Sequence, residues 1–288
     1  MDNFLFWWEL LREGILASLA AAVVLPWVGA LLYVRRSALL GIAVPQFSAA
    51  GLALGLLLIP LFPSVEEEFL HHGHPPMSYS FAFAAIAAGA SLVAFAFLAT
   101  RFREHKQAVM AAGFSIALAA TALFLNAAPA GTQLAETLMR GEVILLDEHG
   151  MAALLSVSFL VLIGLLVLWR LFLVASYDPE QTVVLGHSVQ SAERWQVLLV
   201  GMAVGSGVVT IGPMLVFALL FLPPVFAARG RAGAQPYLRR TLALSLVSIS
   251  LSWPASILLD IPFGPTASLT CLVVGCIWMV LASKRIQK

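Results

Sequence analysis

Residues 176–196, SYDPEQTVVLGHSVQSAERWQ, form a polar segment between two long apolar runs. Asp178 can cap a helix, Pro179 suits the first helical position beside Glu180, and Gly186 is a typical helix stop. A simple helix–helix connection needs only about two to eight residues. The segment therefore predicts a short helix across the membrane face, and an ordinary solvated connector is the alternative.

The chain around this segment is strongly apolar. Of its 288 residues, 61% are hydrophobic and 11% are charged, whereas a soluble domain carries about a quarter charged residues. This composition places the chain in a lipid bilayer, and the net charge of +1 argues against a nucleic-acid partner. Cys271 and Cys276 lie in one apolar run at a spacing that puts them on different helix faces, so we expect packing roles for them.

Apolar runs long enough to cross a bilayer recur along the whole chain. They occupy approximately 14–34, 38–63, 80–100, 108–127, 151–174, 196–211, 213–228, 241–259 and 264–283. The sixth and seventh runs are separated only by Gly212 and its neighbours, so residues 196–228 form either one broken element or two spans. The sequence predicts a single all-α polytopic domain over 1–288 with about eight or nine transmembrane helices.

Lysine and arginine set the orientation of such a protein. All sixteen except Arg12 and Arg140 fall on one side, while most of the fifteen carboxylates fall on the other. We therefore predict that the N-terminus lies outside and the C-terminus lies in the cytoplasm. The basic side contains the connections 35–37, 101–107, 175–195, 229–240 and 284–288. Residues 64–79 then form an external loop.

The first thirteen residues, MDNFLFWWELLRE, differ from a cleavable signal peptide. They have no basic start, and they carry Asp2, Glu9 and Glu13. Trp7 and Trp8 suit the headgroup level of a bilayer. We predict a short interfacial helix over 1–13.

Five stretches together resemble the ABC-3 family, the membrane subunits of bacterial ABC importers for zinc, manganese and iron. They are RRSALLGIAVPQFSAAGLALGLLL (35–58), ETLMRGEVILLDEHGMAAL (136–154), SYDPEQTVVLG (176–186), VGSGVVTIGPMLVFALLFLPPVFAARG (204–230) and DIPFGPTASL (260–269). They occur in the family's order and spacing, with Tyr177 at the aromatic position of its cytoplasmic signature. The resemblance covers nearly the whole chain and implies the permease fold of a type II-like importer in the bacterial inner membrane.

The resemblance also implies partners. Asp178, Pro179, Glu180 and Gly186 would shape a coupling helix whose docking surface, running to about Arg194, contacts an ATPase subunit. A periplasmic or lipid-anchored metal-binding protein and a second copy of the chain would complete the assembly. Independently of any family, none of the three lysines follows a glycine as a P-loop requires. ATP therefore belongs to another chain, and this chain needs no cofactor.

The transport path is predicted from uncharged polar residues inside the spans. No charged or histidine side chain lies deep inside a predicted span, which argues against a proton-driven carrier. Where many relatives have an Asp and a His in the second span, this chain has Ile42 and Gln46, and Phe114 replaces a His of the fourth. We expect Gln46, Ser48 and Ser115 to line the passage. The alternative is that Gln46 only hydrogen-bonds a neighbouring helix.

The external loop is the only histidine-rich stretch. His71, His72 and His74 follow three glutamates, and imidazole and carboxylate groups suit transition metals. The loop could hold metal that arrives from a binding protein, or it could be a solvated acidic loop.

The sequence thus predicts a permease that moves a divalent metal, zinc or manganese, energised by a separate ATPase. A permease of the same fold that moves a metal chelate or another small solute is the alternative. An enzyme needs an acid, base or nucleophile cluster, and no such cluster is apparent, so we expect no catalytic residues.

Overall fold

The computed structural model describes residues 2–35, 39–72, 75–128, 148–229 and 233–286. Every regular element in these ranges is helical. The eleven described α-helices are α1 (Asp2–Val34), α2 (Leu40–Leu58), α3 (Pro63–His72), α4 (Met77–Arg101), α5 (Lys106–Ala127), α6 (Glu148–Tyr177), α7 (Pro179–Val184), α8 (Val189–Ile211), α9 (Pro213–Ala227), α10 (Ala234–Leu259) and α11 (Phe263–Ile286). Short 3-10 turns occupy Ile59–Leu61 and Arg103–His105.

Eight of the described helices are long and apolar enough to span a membrane: α1, α2, α4, α5, α6, α8, α10 and α11. The ninth apolar helix, α9, has 15 residues and therefore extends about 22 Å, less than a full hydrocarbon core. The prediction of an all-α protein with eight or nine spans is confirmed. Residues 196–228 belong to two helices that separate at Gly212, whose φ of 80° is a conformation that glycine adopts without strain.

α1 lies at the centre of the bundle, and its transmembrane part is 72% buried. It packs against α6, α8, α9 and α10, and one hydrophobic cluster joins these helices around Leu25, Val204 and Leu219. The helices α5, α6 and α11 are peripheral, because only 17–22% of the residues in their most apolar stretches are buried. The bundle therefore has a tight centre and a rim of helices that expose long apolar faces.

Glycine and alanine allow the central helices to approach closely. A side chain at Gly29 would overlap the Leu220 carbonyl, and one at Gly205 would overlap Ala85. Helices in lipid pack through such small residues because no hydrophobic force draws them together. The small-residue stretches of α2 and α8 are thus helix–helix contacts.

Side-chain contacts show which helix ends share a face. Arg35, after the end of α1, bonds Glu193 near the start of α8, and Tyr33 lies 6.0 Å from Tyr237 near the start of α10. Helices α8 and α10 therefore both start on the face where α1 ends and run antiparallel to α1, as the predicted topology requires. The face that contains Arg35 is the cytoplasmic face in the orientation predicted from the basic residues.

Two expectations for the outer side differ from the structure. Residues 2–13 are the first turns of α1 and do not form a separate helix, because an isolated glycine, Gly14, is tolerated inside a helix when helix formers flank it on both sides. Much of the predicted external loop is helical as α3. Val65 and Phe69 of α3 pack beside Leu56 and Ile59, so this acidic stretch has an apolar side that anchors it.

Candidate coupling segment and transport path

The polar stretch that interrupts the apolar sequence folds into α7 and two connections. The Asp178 carboxylate accepts a hydrogen bond of 2.9 Å from the Gln181 backbone N–H, which caps α7 as predicted. The Thr182 hydroxyl is fully buried and donates to the Asp178 carbonyl at 3.1 Å. The short helix is thus fixed at its start by the predicted Asp178–Pro179–Glu180 sequence.

The end of α7 is fixed by a left-handed glycine and by a second cap. Gly186 has a φ of 79° and its N–H donates to the Val183 carbonyl at 2.9 Å. Two residues later the Ser188 hydroxyl accepts from the Ser191 N–H at 3.3 Å and begins α8. We call residues 178–188 the coupling segment; it is a short, internally bonded element directly continuous with a central span.

The coupling segment exposes apolar side chains on the cytoplasmic face, outside the apolar spans. Val184 is 85% exposed and Val183 is 63% exposed. The charged residues Asp178, Glu180 and, on α8, Arg194 are exposed as well. An exposed apolar patch with a charged rim is typical of a protein–protein contact.

In the middle of the bundle, Gln46 and Ser48 have different partners. The Gln46 amide Nε2 donates to the Thr121 hydroxyl on α5 at 3.3 Å, and Thr121 donates to the Ala117 carbonyl at 2.8 Å. No described residue donates to the carbonyl oxygen of the half-buried Gln46 side chain. Ser48 is fully buried and donates to the Ala84 carbonyl of α4 at 3.0 Å, so its oxygen is engaged in helix packing.

The structure does not bring Ser115 together with Gln46. Ser115 is exposed and donates to the Ala111 carbonyl of its own helix. It lies on the opposite face of α5 from Ala117 and Thr121, which contact α2. Thr121 is the polar neighbour of Gln46 that the sequence did not reveal, because nothing in the local pattern pairs residues 75 positions apart.

Next to Gln46, aromatic side chains pack between α2, α4 and α5. The Phe47 and Phe95 rings meet edge to face at 5.7 Å, and Phe114 and Met110 pack in the same cluster. A side chain at Gly113 would overlap the Phe95 ring. This aromatic cluster lies beside Gln46, and two of its members, Phe95 and Met110, also line a cavity.

A cavity of about 310 Å³ lies on the cytoplasmic side of the aromatic cluster. Its polar lining consists of Arg35, Lys106, Glu193 and Gln196, and its apolar lining includes Phe95. The residues come from α1, α2, α4, α5 and α8, so five helix ends meet here. Sequence reasoning used Arg35 and Lys106 only as markers of orientation and missed their shared position.

The predicted metal site on the external side falls partly outside the described residues. His71 is exposed on α3, His74 lies outside the described ranges, and so does the side chain of His72. Within those ranges no three His, Cys, Asp or Glu side chains form a group that could hold a metal ion. The external histidine hypothesis stays a prediction.

Residues 7–282 match the ABC 3 transport family, which is nearly the whole chain. The chain belongs to the ABC 3 transport family. As a member of this family it is a permease of the ABC-transporter type, and with its apolar helices it is a multi-pass protein of the bacterial inner membrane.

Relatives of this ABC 3 member agree with its fold. It is 22% identical over 218 residues to the manganese transport system membrane protein MntC of Listeria innocua, covering 75% of this chain and 71% of MntC. The solved structure of PsaBC from Streptococcus pneumoniae in complex with Fab aligns with a TM-score of 0.76 at 15% identity. That alignment covers 96% of this chain and 94% of the other.

A second solved structure has the same fold. It is an inward-facing conformation of a transporter assigned to the metal-chelate ABC type, with a TM-score of 0.69 and 18% identity. The alignment covers 95% of this ABC 3 chain and 85% of that transporter. Both likenesses establish the fold of the permease.

Proposed function

We propose that the chain is the membrane subunit of an importer that carries a divalent transition metal, manganese or zinc, into the cytoplasm. The observation that carries this proposal is the family match over residues 7–282. The relative from Listeria innocua, which is a manganese transport protein by name, supports a transition metal as cargo. The chain itself performs no covalent chemistry and changes which side of the membrane its passage faces.

ATP hydrolysis in a separate subunit supplies the energy. The coupling segment supports this step because it is stiff, exposed and continuous with α8, a central span. A rigid element that joins a surface to a packed helix can transmit a rigid-body movement. The exposed Val183, Val184 and Leu185 side chains offer an apolar contact to the ATPase, with Arg194 and Glu180 at its edge.

A second copy of the chain is the partner that fits the lipid-facing surface of α5. Small side chains follow one stripe of this helix: Ala108, Ala112, Ser115, Ala119, Ala122 and Asn126, all exposed. Large aliphatic side chains are exposed beside this stripe, at Ile116 and Leu123, and on α6 and α11, at Leu166 and Val280, but the stripe itself has none. Small residues at a membrane helix surface favour close helix contact, so α5 would meet α5 of the second copy. A metal-binding protein outside the membrane would deliver the cargo.

A metal chelate is the second candidate cargo. The second span favours this candidate. At the two positions where the family resemblance leads us to expect Asp and His, this chain has Ile42 and Gln46. An amide oxygen binds zinc poorly, since zinc prefers nitrogen and sulfur ligands. The fold similarity to a transporter assigned to the metal-chelate type adds to this candidate.

Metal content of cells tests the proposal. A strain that lacks the gene is grown with limiting manganese, zinc and iron, and each metal is measured by mass spectrometry with and without the restored gene. We expect one metal to fall on deletion and to recover on complementation. Uptake of that metal as the free ion and as a preformed chelate separates the two candidates, and unchanged levels of all three metals would contradict a metal importer.

A further inference from the structure

One charged side chain joins the two central helices next to the cytoplasmic cavity. Arg35 follows α1, and its Nη2 donates to Glu193 Oε1 at 2.6 Å while its Nη1 donates to Gln196 Oε1 at 2.7 Å. Glu193 and Gln196 are one turn apart on α8. Only the two-pronged guanidinium reaches both oxygens in this way, since lysine is a single point donor. We call these three residues the Arg35 bridge.

The bridge sits between the coupling segment and the path. Glu193 lies in the second turn of α8, which begins at Val189 after the Ser188 cap. All three residues line the cavity of about 310 Å³ below the aromatic cluster. A movement of the coupling segment therefore reaches Glu193 within about two helical turns. Because Arg35 bonds Glu193, this movement also displaces the end of α1. In the sequence, α1 is followed by α2, which contains Gln46.

Burial differs within the bridge in a way that suits a contact that breaks and re-forms. The Arg35 and Glu193 side chains are 30% and 49% exposed, so water and salt screen their attraction. Gln196 is only 5% exposed, and its Nε2 has no hydrogen-bond partner among the described residues. Its Oε1 depends on Arg35, because a buried amide without a partner is unfavourable. Opening the exposed ion pair therefore costs little free energy. Re-forming the Arg35–Gln196 hydrogen bond is favourable, because it restores a partner to the buried amide oxygen.

We propose that the Arg35 bridge is the positioning contact that passes the movement of the coupling segment to α1 and opens the cytoplasmic cavity. This inference rests on the proposed function, because it assumes an ATPase that moves the coupling segment. The bridge belongs to the permease and lies apart from the site of ATP hydrolysis, which we assign to a separate subunit. Its loss should separate ATP hydrolysis from transport and leave hydrolysis intact.

The test uses the permease and its ATPase subunit in proteoliposomes, with metal uptake and ATP hydrolysis measured in the same preparation. For Arg35→Ala we expect ATP hydrolysis within about twofold of wild type and uptake per ATP about tenfold lower, within the usual range of coupling between sites. Arg35→Lys should show the same defect, since it cannot bond both oxygens. Arg239→Ala is the matched control, because Arg239 is an exposed arginine near the cytoplasmic end of α10, and it should behave as wild type.

A second readout does not depend on the cargo. In a chain whose two cysteines are replaced by alanine, Ala99→Cys places a thiol in the cavity lining. Its labelling by a water-soluble maleimide should change on ATP addition, and Arg35→Ala should remove that change. Equal responses with and without Arg35, no response in either protein, or a parallel loss of hydrolysis and uptake would overturn the proposal. Failure of metal uptake with an intact labelling response would instead count against the proposed cargo alone.

Discussion

At the scale of single residues, we predict that Gln46 lines the transport path. Its amide donates to Thr121, and no described residue donates to its carbonyl oxygen, so we predict that this oxygen contacts the passing cation. We predict that Gln46→Leu lowers the rate of metal uptake by about tenfold, the equivalent of about 1.4 kcal/mol. Uptake is measured in cells at equal levels of membrane-inserted protein.

Thr121→Val is the matched variant, because it removes the same hydrogen bond and keeps the Gln46 amide. If Gln46 lines the passage, Thr121→Val should transport far better than Gln46→Leu. If Gln46 only joins two helices, the two variants should lower thermal stability and uptake to the same extent. Normal uptake in both Gln46→Leu and Gln46→His would contradict the role in the passage.

The contrast between Asp178 and Arg35 shows what local sequence can predict about side chains. The cap at Asp178 was predictable, because its acceptor and donor lie three residues apart and the following proline marks the helix start. The bonds from Arg35 to α8 were not, because they join residues about 160 positions apart. Packing of whole helices decides such pairs, and no local pattern records it.

At the scale of elements, the end of α7 makes a prediction about coupling. Gly186 has a φ of 79°, and nothing lies within 4 Å of a Cβ built there. Gly186→Ala would thus be opposed only by backbone strain, about 1 kcal/mol. We predict a distorted coupling segment with weaker association with the ATPase, measured by copurification.

Gly233→Ala provides the control for this substitution. Gly233 also has open space around its Cβ position, but its φ is −65°, which any residue adopts. It should therefore retain ATPase binding. Equal effects of the two substitutions would show that the positive φ at Gly186 does not matter for coupling.

The helical elements were predictable where the apolar runs were long, and less so at the outer side. Gly14 follows Glu13 but does not end the helix, because helix formers flank it on both sides, so α1 runs from the predicted interfacial stretch into the first span. Residues 63–72 are rich in glutamate and histidine, and this polar composition made the apolar pair Val65 and Phe69 easy to overlook. In the structure these two side chains pack α3 against the outer end of α2. Composition indicated a loop there, and tertiary packing made a helix.

At the scale of the whole molecule, the sequence predicted the span number and the alternation of helix directions, but it offered no view of which faces meet a second copy. The structure shows small residues along the exposed stripe of α5. In a chain without native cysteines, we predict that Ser115→Cys forms a covalent dimer on oxidation with copper phenanthroline. Two-fold symmetry would bring the same residue of both copies together.

Leu166→Cys is the matched control for this dimer. Leu166 is 59% exposed near the middle of α6, a face that presents large aliphatic side chains, and it should stay monomeric under the same oxidation. Dimers through Leu166→Cys with none through Ser115→Cys would place the contact between copies on α6.

The central claim is that this permease moves cargo only when a separate ATPase acts on the coupling segment. The most direct measurement is metal uptake by three proteoliposome samples. The first contains the permease alone, the second contains the permease with its ATPase and ATP, and the third is the same as the second but carries Val184→Asp. This substitution puts a charge into the exposed apolar patch. We predict uptake against a gradient only in the second sample. Concentrative uptake by the permease alone would contradict the claim.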